Sequence, residues 1–324
     1  MTRQFVNELT DAQPVDEIYL LSDKQLRANR NASLYLSVDL RDRTGLINAR
    51  MWNVTEESVA HIHLGDLVRV RGKVQLFQGT LQLILNYINS IERDGYDLEE
   101  FLPQSSRNTD QQLQQLREIL LSIDDVMLRT LMECFLADEQ ILHGLSQAPA
   151  GVKTHHAYHG GLLEHVVNIL QASQRIADLY PQINHNVLLV GIFLHDIGKI
   201  RELDYTSGFV YTDAGQLLGH LILGIEMLND KIAEVEKQLG TEFPTELALR
   251  LKHMILSHHG SYEFGSPKLP MTPEAIALHH LDNLDAKVHE FSQTITEDPN
   301  PQSHWTPFSN RLDRKLFKGS KNGA

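Results

Sequence analysis

Histidines and acidic residues are concentrated in one part of this chain. Fifteen of its 17 histidines lie between His143 and His304. Several stand in short clusters with carboxylates and apolar residues: Leu163-Glu164-His165, Leu194-His195-Asp196-Ile197-Gly198-Lys199, Leu218-Gly219-His220, Ser257-His258-His259-Gly260 and Leu281-Asp282. A single histidine on an apolar helix is usually a core residue. Burying several imidazoles and carboxylates together is costly unless a cation satisfies them. The clusters therefore predict a metal site.

The adjacent pair His195-Asp196 indicates how such a site would be built. Successive residues on a helix point about 100 degrees apart, so both side chains can reach one cavity. A carboxylate has two oxygens and can bridge two ions. Lys199 follows Asp196 by three positions and so lies on the same helix face, where its ammonium can pair with a phosphate oxygen. This arrangement favours phosphate chemistry.

Composition limits the ligands and the location. Cys134 is the only cysteine, which excludes an internal disulfide and a thiolate cluster, so any metal must be held by imidazole and carboxylate. No apolar run approaches the roughly 20 residues of a membrane span. The polar N-terminal residues lack the hydrophobic segment of a secretory signal. We therefore expect a cytoplasmic protein.

Charge is distributed unevenly over the 324 residues, a length that favours two domains. The net charge of -13 argues against a protein whose whole surface binds nucleic acid. Between Tyr19 and Arg93, however, ten Lys and Arg face seven Asp and Glu, which leaves 19 basic and 35 acidic residues elsewhere. The acidic part leaves open a homo-oligomer. A second basic patch closes the chain, formed by Arg311, Arg314, Lys315, Lys318 and Lys321.

Alternating apolar residues predict about five short strands in the basic region. The predicted strands are Ile18 to Leu26, Leu34 to Leu40, Leu46 to Trp52, Leu67 to Val74 and Leu81 to Ile91, with Arg41 to Gly45 as a turn and Asn53 to Ala60 as a short helix. A helix before the fourth of five strands is typical of an OB-fold barrel. Other small antiparallel barrels alternate in the same way, so the pattern alone leaves both open.

From Thr109 to about Phe291 the apolar residues recur at helical spacing, as in Leu113, Leu116 and Leu120. We therefore predict a multidomain α and β protein, in which an OB-fold β-barrel is followed by an all-α domain. The expected organisation is an N-terminal arm over residues 1–15, an OB-fold domain over 16–95, a linker over 96–110, a helical domain over 111–295 and a basic tail over 296–324.

At the metal-site clusters the chain resembles a known family. His165, His195-Asp196 and Asp282 reproduce the H...HD...D signature of the HD phosphohydrolase superfamily, and His220 and His258 match the extra histidines of its binuclear members. Longer strings resemble the YhaM-type 3'-to-5' exoribonucleases, in which an OB domain precedes an HD domain; they are 160–165, 194–199, 215–220, 255–260 and 282–287. The resemblance runs from about Ile18 to Phe317.

This resemblance implies a ligand set and a reaction. One metal would be held by His165, His195, Asp196 and Asp282, and a second by the shared Asp196 with His220 and His258. His259 would be a further ligand or would support one. His195, Asp196 and Lys199 would be catalytic, with Lys199 neutralising the non-bridging phosphate oxygens. In-line hydrolysis by two metals would release a nucleoside 5'-monophosphate. Mn²⁺ is the expected cofactor; Fe or Co would also suit imidazole, and Mg²⁺ less so.

The barrel segment has a resemblance of its own. The string 41–47, Trp52 and the string 65–74 resemble nucleic-acid-binding OB domains of the tRNA-anticodon type. Such barrels bind single strands with basic side chains and aromatic stacking platforms. The predicted contact residues are Tyr35, Arg41, Arg43, Arg50, Trp52, Arg69, Arg71, Lys73 and Phe77, with Tyr87 as a further platform. Each aromatic can equally be a core residue.

Several residues and functions stay open. His155, His156 and His159 either line a substrate entrance or cap a loop, and Glu164 and Asp285 either orient ligands or form surface salt bridges. The leading hypothesis is a metal-dependent 3'-to-5' exoribonuclease acting on single-stranded RNA, with single-stranded DNA as a possible second substrate. The alternatives are a phosphodiesterase or phosphohydrolase of small nucleotides, a non-catalytic RNA-binding protein with structural metals, and a di-iron oxygenase, against which Lys199 and the barrel weigh.

Overall fold

The computed structural model describes residues 3–29, 33–77, 79–97, 100–102, 105, 107–151, 156–205, 209–296, 298, 300 and 303–319. The chain forms two compact units. The first comprises Met1–Gln104, Thr206–Val210 and Glu290–Ala324, and the second comprises Ser105–Tyr205 and Tyr211–His289. Within the described residues, no helix combines the length and apolar character needed to cross a membrane.

The first unit is built on a five-stranded closed barrel. Its strands are β1 (Pro14–Ala28), β2 (Leu34–Asp42), β3 (Gly45–Trp52), β4 (Leu67–Phe77) and β5 (Thr80–Ile91), and α1 (Glu56–Val59) lies between β3 and β4. The order around the barrel is β1-β2-β3-β5-β4. Neighbours are antiparallel except β3 and β5, which run parallel. This is the OB topology, and the prediction of an OB barrel is confirmed.

The long strand β1 closes the barrel by pairing with two neighbours. Its first half, Pro14–Leu20, pairs with β4, and its second half, from Leu20 to Ala28, pairs with β2. A register shift between Leu21 and Asp23 lets the strand bend from one partner to the other. β1 therefore begins before the predicted Ile18, because residues 14–17 also pair with β4.

Strand and turn positions differ slightly from the prediction at β2. Arg41 and Asp42 were expected in a turn but extend β2, because Asp42 is fully buried and its carboxylate is held by neighbouring donors. It accepts hydrogen bonds from the backbone N–H groups of Val6, at 2.7 Å, and Thr44, at 2.7 Å. The turn is thus confined to Arg43 and Thr44.

The second unit is helical. Its helices are α2 (Thr109–Leu121), α3 (Val126–Leu136), α4 (Glu139–Gln147), α5 (Gly161–Ile176), α6 (His185–Leu194), α7 (Lys199–Glu202), α8 (Asp213–Leu239), α9 (Thr245–Ser257) and α10 (Pro273–Thr296), the last of which ends in the first unit. Two-residue strands lie at Leu203–Asp204 and Val210–Tyr211. Side chains of Asn108, Asp125, Asp138, Asn184 and Thr212 cap helix N-termini, which fixes where these helices begin.

Helix α6 lies at the centre of the helical core. Every residue from Val187 to Leu194 is buried, so this helix has no solvent-facing side. It packs closely on α9 at Gly191, where a Cβ would lie 1.9 Å from the Met254 Cε atom. As a result, the residues that follow α6, His195 and Asp196, are carried into the interior of the unit.

Candidate metal centre and nucleic-acid interface

The six predicted metal ligands come from five helices and the turn after α6. His165 lies on α5, His220 on α8 and Asp282 on α10, while His195 and His258 are the C-cap residues of α6 and α9. Asp196 lies in the turn after α6 rather than within a helix, contrary to the expectation for the His195-Asp196 pair. Helix ends can present adjacent side chains together, so the pair still reaches one cavity.

These side chains converge on the Asp196 carboxylate. The Nε2 atom of His195 lies 3.3 Å from Oδ2, and the Nε2 atoms of His220 and His258 each lie 3.5 Å from Oδ1. On the Oδ2 side, His165 Nε2 is 4.0 Å from that oxygen and 3.2 Å from Asp282 Oδ1. The two carboxylate oxygens therefore face two different groups of imidazoles, as a bridging ligand would.

The other ring nitrogen of each imidazole is occupied. Nδ1 of His195 donates to the Ile192 carbonyl at 2.7 Å, and Nδ1 of His258 donates to the Ile255 carbonyl at 2.8 Å. A carbonyl oxygen only accepts, so in these two residues Nδ1 carries a proton, and Nε2 is the ring nitrogen that faces Asp196. The Nδ1 atoms of His165 and His220 face carboxylates instead. This pattern is typical of histidines that bind a metal through Nε2.

Buried polar atoms at the centre lack protein partners. Among the residues that the structure describes, His195 Nε2, His220 Nε2 and Asp196 Oδ1 have no hydrogen-bond partner. Candidate ligand atoms within 4.8 Å of one another form three sets at the centre: His165, His195 and Asp282; His195, Asp196 and His258; and His220, His258 and His259. Leaving such atoms unsatisfied is costly, and one or two divalent cations would satisfy them together. The donor set therefore fits metal ions.

Lys199 is part of the same cluster. Its ammonium donates to Asp196 Oδ2 at 2.6 Å and to the Ala150 carbonyl at 2.5 Å. Burial alone would raise the pKa of the Asp196 carboxyl, but the Lys199 ammonium and the surrounding imidazoles hold that pKa well below its usual range. Asp196 is therefore ionised at neutral pH and available to a cation.

The imidazoles differ in their affinity for protons. Burial opposes protonation of His165, but hydrogen bonds to Asp282 and Asp285 raise its pKa to about 9. Burial, together with the neighbouring His258 and His220, lowers the pKa of His259 to about 3. The carboxylates that raise this pKa would also favour a metal cation. Metal binding to His165 would therefore displace a proton from its ring. His259 stays neutral, with its ring centroid 4.3 Å from that of His258.

A polar network lies behind His165. Asp285 Oδ2 faces His165 Nδ1 at 2.7 Å and His156 Nε2 at 2.9 Å, and Asn168 donates to Asp285 Oδ1 at 3.1 Å. His156 is buried and also contacts the Tyr158 hydroxyl through Nδ1, at 2.6 Å. Asp285 and His156 therefore fix the orientation of His165.

Glu164 and His159, whose roles the sequence leaves open, have contacts away from the metal centre. Glu164 is buried, accepts from the Ser105 hydroxyl at 2.6 Å and pairs with Arg107 at 3.2 Å. His159 Nδ1 donates to the Gln147 carbonyl at 3.0 Å, a loop contact. His155 lies outside the described residues.

Glu202 supports His220 and was missed by sequence reasoning. Helix α8 is interrupted at Gly219, which has φ 72° and ψ 163°, and the backbone N–H of the next residue is thereby released. Glu202 Oε1 accepts from this His220 N–H at 3.0 Å and lies 3.0 Å from His220 Nδ1. A single glutamate on a short helix has no distinctive spacing, so the sequence does not mark Glu202 itself. The only signal is Gly219 directly before His220, which can interrupt α8 and free the His220 N–H.

Two glycines allow close approach around the ligands. At Gly198, whose φ is -62°, a Cβ would lie 2.0 Å from the His220 carbonyl oxygen. Gly260 has a positive φ of 79°, and a Cβ there would lie 2.0 Å from the His279 ring, whose Nδ1 donates to the His258 carbonyl at 2.8 Å. Both positions require glycine for space, and Gly260 requires it for conformation as well.

On the barrel, four of the predicted contact residues lie around one concavity. Arg50, Trp52, Lys73 and Phe77 line it, together with Asp11, Ala12, Val74, Gln75, Gln82 and Ile84. Arg50 pairs with Ile84 across β3 and β5, and Ile84 pairs with Lys73 across β5 and β4, so the two cations lie in one row. Trp52 is about half exposed, and the Tyr35 ring lies 4.9 Å from it. The concavity thus combines positive charge with open aromatic surface.

The other predicted contact residues lie elsewhere on the barrel. Arg69 and Arg71 both pair with Asp16, at 2.8 and 3.0 Å, and the Arg71 guanidinium lies 5.2 Å from the Tyr87 ring centroid. Other cations contact other rings: Arg43 lies 4.7 Å from the Phe5 ring centroid, and the buried Arg41 lies 5.8 Å from that of Phe209. The structure therefore brings together only part of the predicted surface.

Comparisons with known proteins agree with both units. Residues 162–287 match the HD domain family, and residues 21–91 match the OB-fold nucleic acid binding domain family. The chain is 33% identical over 282 residues to the 3'-5' exoribonuclease YhaM of Shouchella clausii (strain KSM-K16), covering 87% of this chain and 86% of that protein. It is 32% identical over 287 residues to the protein of the same name from Oceanobacillus iheyensis (strain DSM 14371 / CIP 107618 / JCM 11309 / KCTC 3954 / HTE831), covering 88% of each. The corresponding protein of Bacillus subtilis (strain 168) is 31% identical over 282 residues, with 87% of each chain covered.

Proposed function

The chain belongs to the YhaM 3'-5' exoribonuclease family, and on that premise we propose that it removes nucleotides one at a time from the 3' end of single-stranded RNA. Its HD domain implies dependence on divalent metal ions. The observation that carries the proposal is the convergence of buried imidazole Nε2 atoms on the two oxygens of Asp196.

We propose that the six converging residues hold two cations. His165, His195, Asp196 and Asp282 would hold one, and Asp196, His220 and His258 the other, with His259 completing the second set. Two bound cations would supply an activated water and would stabilise negative charge on the attacking and leaving oxygens. The imidazole-rich donor set favours Mn²⁺, Fe or Co over Mg²⁺, and among these we propose Mn²⁺ on the family resemblance.

Lys199 would act on the substrate once the cations are bound. Its ammonium now pairs with Asp196 Oδ2, at 2.6 Å, and a cation at that oxygen would compete with it. The ammonium is then expected to pair with a non-bridging oxygen of the scissile phosphate and to neutralise its charge. The contact with the Ala150 carbonyl, at 2.5 Å, would keep the amine at the edge of the metal centre.

The proposed reaction breaks the P–O3' bond of the last phosphodiester. Water adds to phosphorus, and the departing O3' takes up a proton. The terminal nucleotide leaves as a nucleoside 5'-monophosphate, and the strand keeps a 3'-hydroxyl for the next cycle. The direction in which the RNA is degraded therefore depends on which end of the strand reaches Asp196.

The barrel concavity is the proposed binding surface for the strand. Arg50 and Lys73 would contact phosphates, and Trp52, Tyr35 and Phe77 would stack on bases. Stacking does not depend on the 2'-hydroxyl, so single-stranded DNA is a second candidate substrate. Arg41 is buried and is left out of the proposed surface, and Arg43, Arg69 and Arg71 would contribute only long-range charge.

The test is a nuclease assay with end-labelled RNA. The metal-free protein is supplied in turn with Mn²⁺, Co²⁺ or Mg²⁺ and given single strands labelled at either end, and the released products are identified by mass spectrometry. We expect 5'-monophosphates from the 3' end, most rapidly with Mn²⁺, and no activity in His195→Ala. His280→Ala, an exposed histidine on α10, is the matched control. Release of nucleotides from the 5' end, or turnover of mononucleotides and cyclic dinucleotides without action on RNA, would contradict the proposal.

A further inference from the structure

The segment 303–319, which the sequence marks as part of a basic tail, is folded. Trp305 pairs with Phe317 and Ser309 pairs with Arg314 in isolated antiparallel bridges. The backbone N–H of Thr306 donates to the Leu316 carbonyl at 2.9 Å. Leu312 and Leu316 are buried. The segment is therefore a small hairpin-like element with two buried leucines, which we call the C-terminal element.

Contacts within the first unit hold the C-terminal element in place. Arg311 pairs with Glu290 at 2.9 Å, and Lys318 pairs with Asp298. Pro307 Cγ lies 4.0 Å from the position that a Cβ would take at Gly79, in the turn between β4 and β5. In OB folds the loop between the fourth and fifth strands is one of those that contact oligonucleotides. The C-terminal element thus lies next to a loop suited to strand binding.

The C-terminal element exposes both aromatic rings and positive charge. Trp305, Phe308 and Phe317 are 51 to 58% exposed, and the Trp305 and Phe317 rings lie 5.0 Å apart with a tilt of 56°. Arg314 and Lys315 are exposed on the same short element. Arg311 and Lys318 take part in the ion pairs just described, and the Arg314 Nε atom donates to the Leu312 carbonyl at 2.8 Å. Arg314 and Lys315 thus supply the exposed positive charge of the element.

The barrel concavity approaches this element at the β4–β5 turn, where Gly79 lies near Pro307. Phe77, at the end of β4, is 47% exposed in the concavity and precedes Gly79 by two residues. A strand lying on Trp52 and Phe77 would therefore pass the β4–β5 turn and meet Pro307 and the aromatic rings beyond it. Exposed aromatic rings beside the cations favour a single strand, which offers both bases that stack and phosphates, over an acidic protein surface as the occupant.

We propose that the C-terminal element is a second stacking surface for single-stranded RNA, contiguous with the barrel concavity across the β4–β5 turn. The inference rests on the proposed function, since it assumes that the chain acts on single-stranded RNA. Trp305 and Phe317 would stack on bases, and Arg314 and Lys315 would contact phosphates. Strands long enough to cover both surfaces would bind more tightly than strands that fill the concavity alone.

The chain offers a direct test because it contains only two tryptophans, Trp52 and Trp305. Trp52→Phe leaves Trp305 as the only indole reporter, and Trp305→Phe leaves Trp52. Each variant is titrated in EDTA, which prevents cleavage, with uridine oligomers of increasing length. We expect Trp52 fluorescence to be quenched by short and long oligomers, and Trp305 fluorescence to be quenched only by the longer ones.

Three outcomes are decisive. Unchanged Trp305 emission while Trp52 responds would overturn the inference and leave the proposed function standing. Silence of both reporters, combined with normal nuclease activity when metal is added, would overturn binding at both surfaces. Absence of nuclease activity as well would mean that the proposed function itself had failed.

Charge reversal tests the same surface without altering its aromatic rings. Lys315→Glu is expected to raise the Kd for a long RNA several-fold, to reduce the salt dependence of binding and to leave the Kd for a short oligomer unchanged. Lys268→Glu, an exposed lysine in the helical unit, is the matched control. Equal affinity of the Lys315→Glu and native proteins for long RNA would overturn the inference.

Discussion

The two units display their chemically active side chains in opposite ways. In the helical unit the imidazoles of His195 and His258 are buried, and each has one ring nitrogen fixed by a backbone carbonyl. On the barrel Trp52 and Lys73 are exposed. Buried polar groups depend on one another because any unpaired member is costly, whereas exposed groups act almost independently. We therefore expect mutations at the metal centre of the helical unit to abolish metal binding and activity, and mutations on the barrel surface to weaken RNA binding by degrees.

The strongest test of this contrast is Asp196→Asn. The amide removes the negative charge that both ligand groups face, so we expect loss of both metal ions and of all detectable nuclease activity. Metal content measured by plasma mass spectrometry checks the first effect and an RNA assay the second. Asp230→Asn, an exposed residue of α8, is the control. Retention of one metal ion by Asp196→Asn would show that the two groups do not depend on each other through this residue.

A smaller effect is expected from Glu202→Gln. The variant keeps a hydrogen-bond acceptor for the His220 N–H but loses the charge that orients His220 Nδ1. Outer partners of metal ligands typically change affinity or activity by about 10- to 100-fold. We expect a loss in that range, together with weaker binding of one metal ion measured by calorimetry. Glu226→Gln on α8 should have no effect, and an equal loss in that exposed control would indicate a general change in the helix.

On the barrel, Trp52→Ala should have a graded effect. Stacking of one base contributes about 1 to 3 kcal/mol, so the Kd for a single strand should rise accordingly. Because Trp52 lies outside the metal centre, kcat at saturating RNA should stay the same while KM increases. Tyr87→Ala is a useful comparison, since Tyr87 contacts Arg71 on a different part of the barrel. A fall in kcat without a change in KM would place Trp52 in the catalytic step instead.

The smallest effect is expected from Arg69→Ala. Arg69 already pairs with Asp16 at 2.8 Å, so its charge is used within the barrel and not on a phosphate. Its removal should therefore change the salt dependence of RNA binding little. Lys73→Ala should instead reduce the slope of log Kd against log salt by about one phosphate contact. Measuring both slopes by fluorescence anisotropy shows whether RNA contacts the concavity, which contains Lys73, or the part of the barrel where Arg69 pairs with Asp16. Equal reductions in the two variants would mean that the strand contacts both.

Sequence reasoning could locate the candidate metal centre because its residues are chemically unusual. Clusters such as His195-Asp196 and His258-His259 stand out against an apolar background, and the structure places them together. Asp285 was among the candidates for orienting a ligand, but two of the supporting contacts could not be found in this way. Glu202 contacts His220 only because α8 is interrupted at Gly219, and His156 reaches Asp285 across 129 positions of sequence. Such contacts depend on the packing of helices, which periodicity does not specify.

For the barrel, the fold was predictable from the sequence but the arrangement of its surface residues was not. Alternation of apolar residues predicted five strands and a helix before the fourth, and this part of the fold is confirmed. The surface was harder to predict, because charge and aromatic character do not indicate on which face a residue lies. Arg50 and Arg41 have the same side chain, yet one lines the concavity and the other is buried near Phe209. Register between strands, rather than residue type, decides between these positions.

Gly198 has a consequence for how such a centre can change in evolution. A methyl group there would lie 2.0 Å from the carbonyl oxygen of His220, so any other residue would push α8 away from the turn that carries Asp196. The distance between the two ligand groups is thus set by contact between main chains, not by side-chain length. Under the proposed two-cation arrangement, a single substitution at this glycine would therefore disturb the centre while every ligand stayed in the sequence.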